Sequence, residues 1–302
     1  MAHGVARPWQ GKGLRRERWH GYLFIAPVYL FLAAVVVLPL LSALWTSLLR
    51  VRGLSARFVG LENYTRALYD PAFWHSLRVT LVFTLLCVAA HMLLGLGLAL
   101  LLTRAGRLRP VLRLLFLVPW MVAPAVGATV WLWLLDAQFG VVNYLLRLCG
   151  LVREPVVWLG DPVLALLSVA AADIWRGIPF IMLLMVAGLL AIPGDQYEAA
   201  SLDGAGAWGR FRFVTLPNMR PILVIASTLD VINTVRQFDL VAVMTGGGPT
   251  NATEVLSALI YNTGFRANRL GDAAAIGVLL LLLVLAFSVA YVWLLRPTEA
   301  EE

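Results

Sequence analysis

The fold of this chain is decided by a polar stretch that begins Glu198-Ala199-Ala200-Ser201-Leu202-Asp203-Gly204-Ala205 and ends Val214-Thr215-Leu216-Pro217. Three residues separate the Glu-Ala-Ala triplet from the glycine, and nine more lead from the glycine to the valine. Long apolar runs lie on both sides of this stretch. We therefore interpret residues 194–220 as a loop between two membrane-spanning helices, on the cytoplasmic side.

The composition places the chain among integral membrane proteins. Hydrophobic residues make up 61% of the 302 residues and charged residues 14%, whereas soluble domains carry roughly 25% charged residues. The formal charge of +7 is typical of basic cytoplasmic loops that face anionic lipid. No basic segment alternates with aromatic residues, so we expect a lipid membrane and no nucleic acid as a partner.

Six apolar blocks predict an all-α, polytopic protein with six transmembrane helices, since a bilayer core needs about 20 apolar residues per helix. The blocks cover residues 22–49, 77–103, 111–135, 162–192, 221–243 and 273–295. The first block exceeds the ~7–15 apolar residues of a signal peptide, so we expect it to be retained. The predicted plan is a tail over 1–21, a first helix over 22–49, a core of five helices over 77–295 and a tail over 296–302.

The arginines predict the orientation. The short loop between the second and third blocks holds Arg104, Arg107, Arg109 and Arg113 and no acidic residue, and cytoplasmic loops are enriched in such residues. The loop between the first and second blocks is also basic and runs against this bias. An even number of spans places both ends of the chain on one side, and we expect that side to be the cytoplasm.

The stretch from Glu198 to Pro217 resembles the EAA loop of bacterial ABC importer permeases. In that family the loop forms two short helices joined at the glycine and docks into a cleft of a separate ATPase subunit. The resemblance therefore implies an importer permease fold and a position in the bacterial cytoplasmic membrane. The residues that it assigns to ATPase coupling are Glu198, Ala199, Ala200, Asp203, Gly204, Ala205, Leu216 and Pro217.

A second stretch, residues 238–253 with its Gly-Gly-Gly-Pro run, is similar to the corresponding part of carbohydrate-uptake permeases, the maltose permease group. This resemblance implies a sugar as cargo, either a di- or oligosaccharide or glycerol phosphate. It also implies a second permease subunit, two ATPase subunits and an extracytoplasmic sugar-binding protein. Lys12, the one lysine, is followed by glycine, so the chain has no P-loop. We expect no cofactor or metal on this chain, with ATP and magnesium on the partner ATPase.

Polar residues inside the apolar blocks predict the sugar path. A charged group at the bilayer centre costs at least ~2.5–3.5 kcal/mol, so it usually faces a cavity or a partner. Asp230, Asn233 and Gln237 share one helical face, and amides and carboxylates suit sugar hydroxyls. The predicted path residues are Asp230, Asn233, Gln237, Asp173, Trp175, Arg176 and Phe238, with the two aromatic side chains stacking on the sugar ring.

Other interpretations of these residues and of the whole chain stay open. The alternative role of these charged residues is structural, since Arg176 could form an ion pair with either Asp173 or Asp230. His91 lies alone in an apolar block, which favours a buried and hydrogen-bonded histidine over a ligand. The rival functions are a secondary transporter and a polytopic membrane enzyme that acts on lipid. The first would show inverted repeats and the second clustered acids or histidines, and neither pattern is evident.

Overall fold

The computed structural model describes residues 24–52 and 55–295. The predicted tails over 1–21 and 296–302 lie outside these residues. The helices are α1 (Phe24–Ser47), α2 (Glu62–Tyr69), α3 (Pro71–Arg104), α4 (Arg109–Met121), α5 (Pro124–Leu134), α6 (Val141–Leu148), α7 (Pro162–Leu190), α8 (Gly194–Leu202), α9 (Ala207–Arg210), α10 (Leu216–Val235), α11 (Asp239–Met244), α12 (Leu256–Tyr261) and α13 (Leu270–Leu295). The strands β1 (Leu49–Arg52) and β2 (Ser55–Phe58) pair as one antiparallel hairpin. The predicted all-α class is confirmed, and the hairpin is an addition that the sequence did not predict.

Four described helices are long and apolar enough to cross a membrane, namely α1, α3, α7 and α13. A fifth crossing results if α4 and α5 count as one bent span. The remaining predicted span corresponds to α10. Its 20 residues reach about 30 Å at 1.5 Å per residue, but polar side chains interrupt its apolar face. Length and composition alone therefore give four or five spans where the sequence predicts six.

The third predicted span, residues 111–135, is broken instead of straight. α4 and α5 meet at an angle of 94°. Ala123 lies between them in an extended conformation, with φ −57° and ψ 137°. It precedes Pro124, and the proline ring disfavours helical backbone at the preceding residue. The break places Trp120, near the end of α4, toward the interior of the helix assembly.

The fifth predicted span, residues 221–243, has different limits in the structure. α10 begins at Leu216, directly after the π-helical residues Phe211–Thr215, so the helical segment starts before the predicted limit at residue 221. The helix ends at Val235 and α11 begins at Asp239. The residues between them turn the chain, so Gln237 lies beyond α10 and not on its face.

α7 lies at the centre of the fold, packed along α3, α4 and α10. Small residues allow the close approach of these helices, as in other membrane bundles. A side chain on Gly95 of α3 would collide with Ile181 of α7, and one on Gly188 of α7 would collide with Ile222 of α10. The polar residues of α3, α7 and α10 therefore face one another across short distances. Cys87 is fully buried in this core, as expected for a small hydrophobic residue.

An ion-pair cluster links β1 and α2 to α13. Arg66 Nη1 donates to Asp272 Oδ1 at 2.6 Å, and Arg66 also pairs with Glu62, which in turn pairs with Arg50. The hydrogen bond from Arg66, together with the charge of Arg50, lowers the pKa of Glu62 below its usual value. α1 is held to α2 at Ser47, whose backbone oxygen accepts a hydrogen bond of 2.8 Å from Asn63 Nδ2, while most of the surface of α1 is exposed.

Candidate functional site

A polar cavity of about 520 Å³ lies where α3, α4, α7, α10 and α11 meet. Its volume falls within the range of about 300–1,000 Å³ that is usual for small-molecule sites. The lining residues are His91, Trp120, Asp173, Arg176, Gly177, Phe180, Asp230, Asn233, Thr234, Arg236, Gln237 and Asp239. The cavity lies near the end of α10 that is distant from the 194–220 loop.

The structure brings five of the seven predicted path residues to this cavity. Asp230 and Asn233 extend from α10, and Gln237 reaches the same space because the chain turns after Val235. Asp173 and Arg176 approach from α7, where a spacing of three residues places them on one face. Two separate helices and the turn after α10 therefore supply the groups that the sequence suggested, and their role in a path stays a prediction.

The two predicted aromatic residues lie outside the cavity lining. Trp175 packs edge-to-face against Trp131, with ring centroids 6.2 Å apart. Phe238 packs against Tyr261 at 4.9 Å. Each ring packs between neighbouring helices, and the assignment of these two rings to sugar stacking stays a prediction.

Trp120 and Phe180 are the aromatic residues that do line the cavity. Their rings stack with centroids 6.1 Å apart and an interplanar angle of 17°. Phe180 lies four residues beyond Arg176, so helical spacing would have placed both on the same face of α7. Trp120 gave no comparable signal, because its position depends on the break between α4 and α5.

His91 connects three of the helices that surround the cavity, α3, α7 and α10. Its Nδ1 lies 2.9 Å and 3.1 Å from the two carboxylate oxygens of Asp230, and its Nε2 lies 3.1 Å from the backbone oxygen of Asp173. An ionised carboxylate and a carbonyl are both acceptors, so a ring with both N–H groups satisfies the two contacts at once. The expectation of a buried, hydrogen-bonded histidine is confirmed. Its link to Asp230, 139 residues away, had no signal in the sequence.

Asp173 is only partly satisfied. Its Oδ1 accepts a hydrogen bond of 2.8 Å from Gln237 Nε2, and Arg176 Nη2 lies 3.9 Å from the same oxygen. Asp173 Oδ2 and Arg176 Nε are buried without a hydrogen-bond partner among the described residues. Unpaired buried polar atoms are uncommon in folded proteins, so an acceptor and a donor remain available beside the cavity. No three His, Cys, Asp or Glu side chains in the described part of the chain are grouped to hold a metal ion.

The 194–220 loop contains the short helix α8, a turn at Gly204, and then α9, which continues through the π-helical residues Phe211–Thr215 into α10. Gly204 has a φ of +79°. The amide of Ala205 donates to the carbonyl of Ala200 at 2.9 Å, and the Gly204 amide donates to Ser201 at 3.1 Å. This pair of bonds is the Schellman ending of a helix, which favours glycine because its positive φ strains any residue with a Cβ.

Side-chain hydrogen bonds hold the loop in shape. Tyr197 Oη lies 3.0 Å from Thr215 Oγ1, and Asn218 Nδ2 donates to Gln196 Oε1 at 2.7 Å. Among the predicted coupling residues, Glu198, Ala199, Asp203, Gly204 and Pro217 are exposed, whereas Ala200, Ala205 and Leu216 are half-buried. Leu202 is 90% exposed between the two acidic residues. The loop thus presents a preformed surface on which the large apolar side chain of Leu202 lies beside the acidic residues Glu198 and Asp203.

Comparisons with known proteins agree with this architecture. The family described as "Binding-protein-dependent transport system inner membrane component" matches residues 91–297. The trehalose/maltose transport system permease protein MalF of Thermococcus litoralis is 40% identical over 278 residues, which cover 91% of this chain and 93% of the relative. The sulfoquinovosyl glycerol transport system permease protein SmoG of Agrobacterium fabrum is 33% identical over 286 residues. The alignment covers 94% of this chain and 92% of the relative.

A solved structure has the same fold. It belongs to a bacterial ABC transporter involved in the import of the acidic polysaccharide alginate, and one of its chains aligns with a TM-score of 0.82. The alignment covers 95% of this chain and 98% of the other, at 20% sequence identity. At that identity the likeness concerns the fold alone.

Proposed function

Because this chain belongs to the family of binding-protein-dependent transport system inner membrane components, we propose that its cavity is the sugar path of an ATP-driven importer. The chain is a membrane-embedded permease and a transport subunit rather than an enzyme, as its family and relatives are. Family membership therefore decides against the two rival functions, the secondary transporter and the lipid-modifying enzyme. It also implies a place in the cytoplasmic membrane.

The observation that carries the sugar assignment is the chemistry of the cavity wall. Asn233 and Gln237 offer amides that both donate and accept hydrogen bonds, as sugar hydroxyls do. Asp173 Oδ2 adds a free acceptor and Arg176 Nε a free donor. The stacked Trp120 and Phe180 supply an apolar surface for the C–H face of a sugar ring. The two relatives belong to transport systems for trehalose/maltose and for sulfoquinovosyl glycerol, which supports the same class of cargo.

The partners follow from the proposed function. A second permease subunit would complete the path, and two ATPase subunits would bind ATP and magnesium. An extracytoplasmic binding protein would deliver the sugar. The surface around Glu198, Leu202 and Asp203 suits a cleft on the ATPase, with the acidic groups placed for arginines there. The binding protein can bias the switch between the two states of the permease only if its affinity for them differs.

The path is tested by the separate substitutions Asn233→Ala and Gln237→Ala. Each removes one hydrogen bond to the sugar, worth about 0.5–1.5 kcal/mol, so we expect Asn233→Ala to lower uptake roughly two- to tenfold while the ATPase still co-purifies. Gln237→Ala also removes the hydrogen bond to Asp173, so its loss of uptake should be at least as large. The measurement is uptake of the sugar that the co-encoded binding protein holds, identified by calorimetry. Thr228→Ala is the control, because Thr228 is also on α10 but bonds to the Val224 carbonyl outside the cavity. Wild-type uptake in both path variants would exclude this cavity as the path.

The orientation is tested with a single cysteine at position 206. Gly206 has ordinary extended backbone, and the space that a Cβ would enter is open, so Gly206→Cys should fold normally. In a background with Cys87→Ala and Cys149→Ala, we expect no reaction with an impermeant maleimide in intact cells and full reaction in inverted vesicles. Exposed Arg153, changed to cysteine, should show the opposite pattern. Ready labelling of position 206 from outside would contradict both the orientation and ATPase docking.

A further inference from the structure

A second cavity, which we call the α3–α9 groove, lies between the last turn of α3 and the helix α9 of the coupling loop. Its volume is about 760 Å³. Arg104 of α3 and Arg210 of α9 line it, together with Leu100, Trp208 and Phe211. None of these residues belongs to the sugar cavity or to the predicted coupling set.

The arginines of this groove have no acidic partner. Among the described residues no carboxylate lies within ion-pair distance of Arg104 or Arg210. Arg210 Nη1 makes one long hydrogen bond, 3.3 Å, to Ser201 Oγ. Arg107, Arg113 and Arg212 are exposed nearby along the chain and equally unpaired. The groove therefore concentrates positive charge that the described part of the chain does not neutralise.

We propose that the α3–α9 groove binds the headgroup of an anionic phospholipid of the cytoplasmic leaflet. α3 spans the membrane, so its last turn, with Leu100 and Arg104, lies where acyl chains give way to headgroups. Guanidinium groups bind phosphate through paired, charge-assisted hydrogen bonds. Trp208 is 73% exposed and stacks on Phe211, and tryptophan favours the membrane interface. Basic pockets between helices on the cytoplasmic side suit anionic headgroups.

The position of the groove gives the lipid a regulatory role, which rests on the proposed function of the loop. Tyr197, which also lines the groove, bonds to Thr215 and so spans the loop from α8 to the start of α10. A headgroup held by Arg104 and Arg210 ties the end of α3 to α9. It thereby favours the loop conformation that the ATPase engages. Coupling between ATP hydrolysis and the loaded binding protein should then depend on anionic lipid.

The test uses the whole complex in nanodiscs of phosphatidylcholine alone, or of phosphatidylcholine with an equal amount of phosphatidylglycerol. Native mass spectrometry measures retained phosphatidylglycerol, and ATP hydrolysis is measured with and without loaded binding protein. The variant is Arg104→Gln with Arg210→Gln, which keeps polar side chains. We expect each lost arginine to weaken phosphatidylglycerol retention about fivefold, from about 1 kcal/mol per arginine near an anionic surface. Stimulated hydrolysis should fall to the level seen in phosphatidylcholine alone.

The control is Arg107→Gln with Arg113→Gln, which removes equal charge from the same basic region outside the groove. In this control variant, phosphatidylglycerol retention and the ATP hydrolysis stimulated by the binding protein should stay at the wild-type level. If both variants lost phosphatidylglycerol equally, the proposed groove site would be wrong, and the arginines would attract the membrane only through their overall charge. If inorganic phosphate restored stimulated ATP hydrolysis in phosphatidylcholine discs, the ligand would be free phosphate and not a lipid. If the ATPase dissociated from the groove variant, the two arginines would bind the ATPase and not a lipid. Sugar uptake by the wild-type complex tests the importer function separately, whatever the lipid result.

Discussion

We expect Gly204→Val to reduce sugar uptake more than tenfold while the subunit still inserts in the membrane. Gly204 closes α8 with a φ of +79°, a region that costs a residue with a Cβ roughly 1–2 kcal/mol and a β-branched residue more. Nothing within the described part of the subunit lies within 4 Å of an added Cβ. The loss would therefore come from the altered bend or from the filled space at the ATPase surface, and not from a clash inside the chain.

Gly204→Asp separates these two causes, because aspartate tolerates the left-handed region better than valine does. Loss of uptake in both variants, which we expect, places the effect at the ATPase cleft. Loss of uptake in the Gly204→Val variant alone would instead show that the altered backbone bend at Gly204 causes the effect. Gly194→Val is the matched control, since Gly194 lies in the same loop with open space and no positive φ. Uptake and binding-protein-stimulated ATP hydrolysis are measured on reconstituted complexes, and normal values for both Gly204 variants would refute the loop as coupling element.

Gly177→Val is expected to disrupt the sugar cavity and abolish uptake. A Cβ at this position would overlap the imidazole ring of His91. The ring would have to leave its place between Asp230 and the Asp173 carbonyl. Asp230 is 5% exposed, so its carboxylate would remain buried without a partner. Breaking a buried pair in this way costs about 3–5 kcal/mol.

The measurements are the melting temperature of the purified complex and sugar uptake, which should fall together. Gly97→Val is the control for a β-branched residue within a membrane helix, because Gly97 of α3 is exposed with open space around it. Gly177→Ala should act in the same direction with a smaller effect. A Gly177→Val complex with the melting temperature and uptake of the wild type would show that the His91–Asp230 contact does not hold the cavity together.

Local features of this protein were predictable because their causes act over a few residues. The apolar runs that became α3, α7 and α13 follow from the length that a bilayer demands. The joint at Gly204 follows from backbone sterics, which only a glycine satisfies without strain. Asp173, Arg176, Asp230, Asn233 and Gln237 were found because charged or amide groups in an apolar run need a cavity or a partner.

Tertiary packing decided the features that depend on which helix faces which. Helical spacing cannot tell a ring that faces a cavity from one that faces a neighbouring helix. The sequence therefore singled out Trp175 and Phe238, whereas the rings that line the cavity are those of Trp120 and Phe180. His91 meets Asp230 only because small residues on α3 and α7 let three helices approach closely. Hydropathy and capping describe one segment at a time. The contacts around the cavity arise between segments, and only their packing determines them.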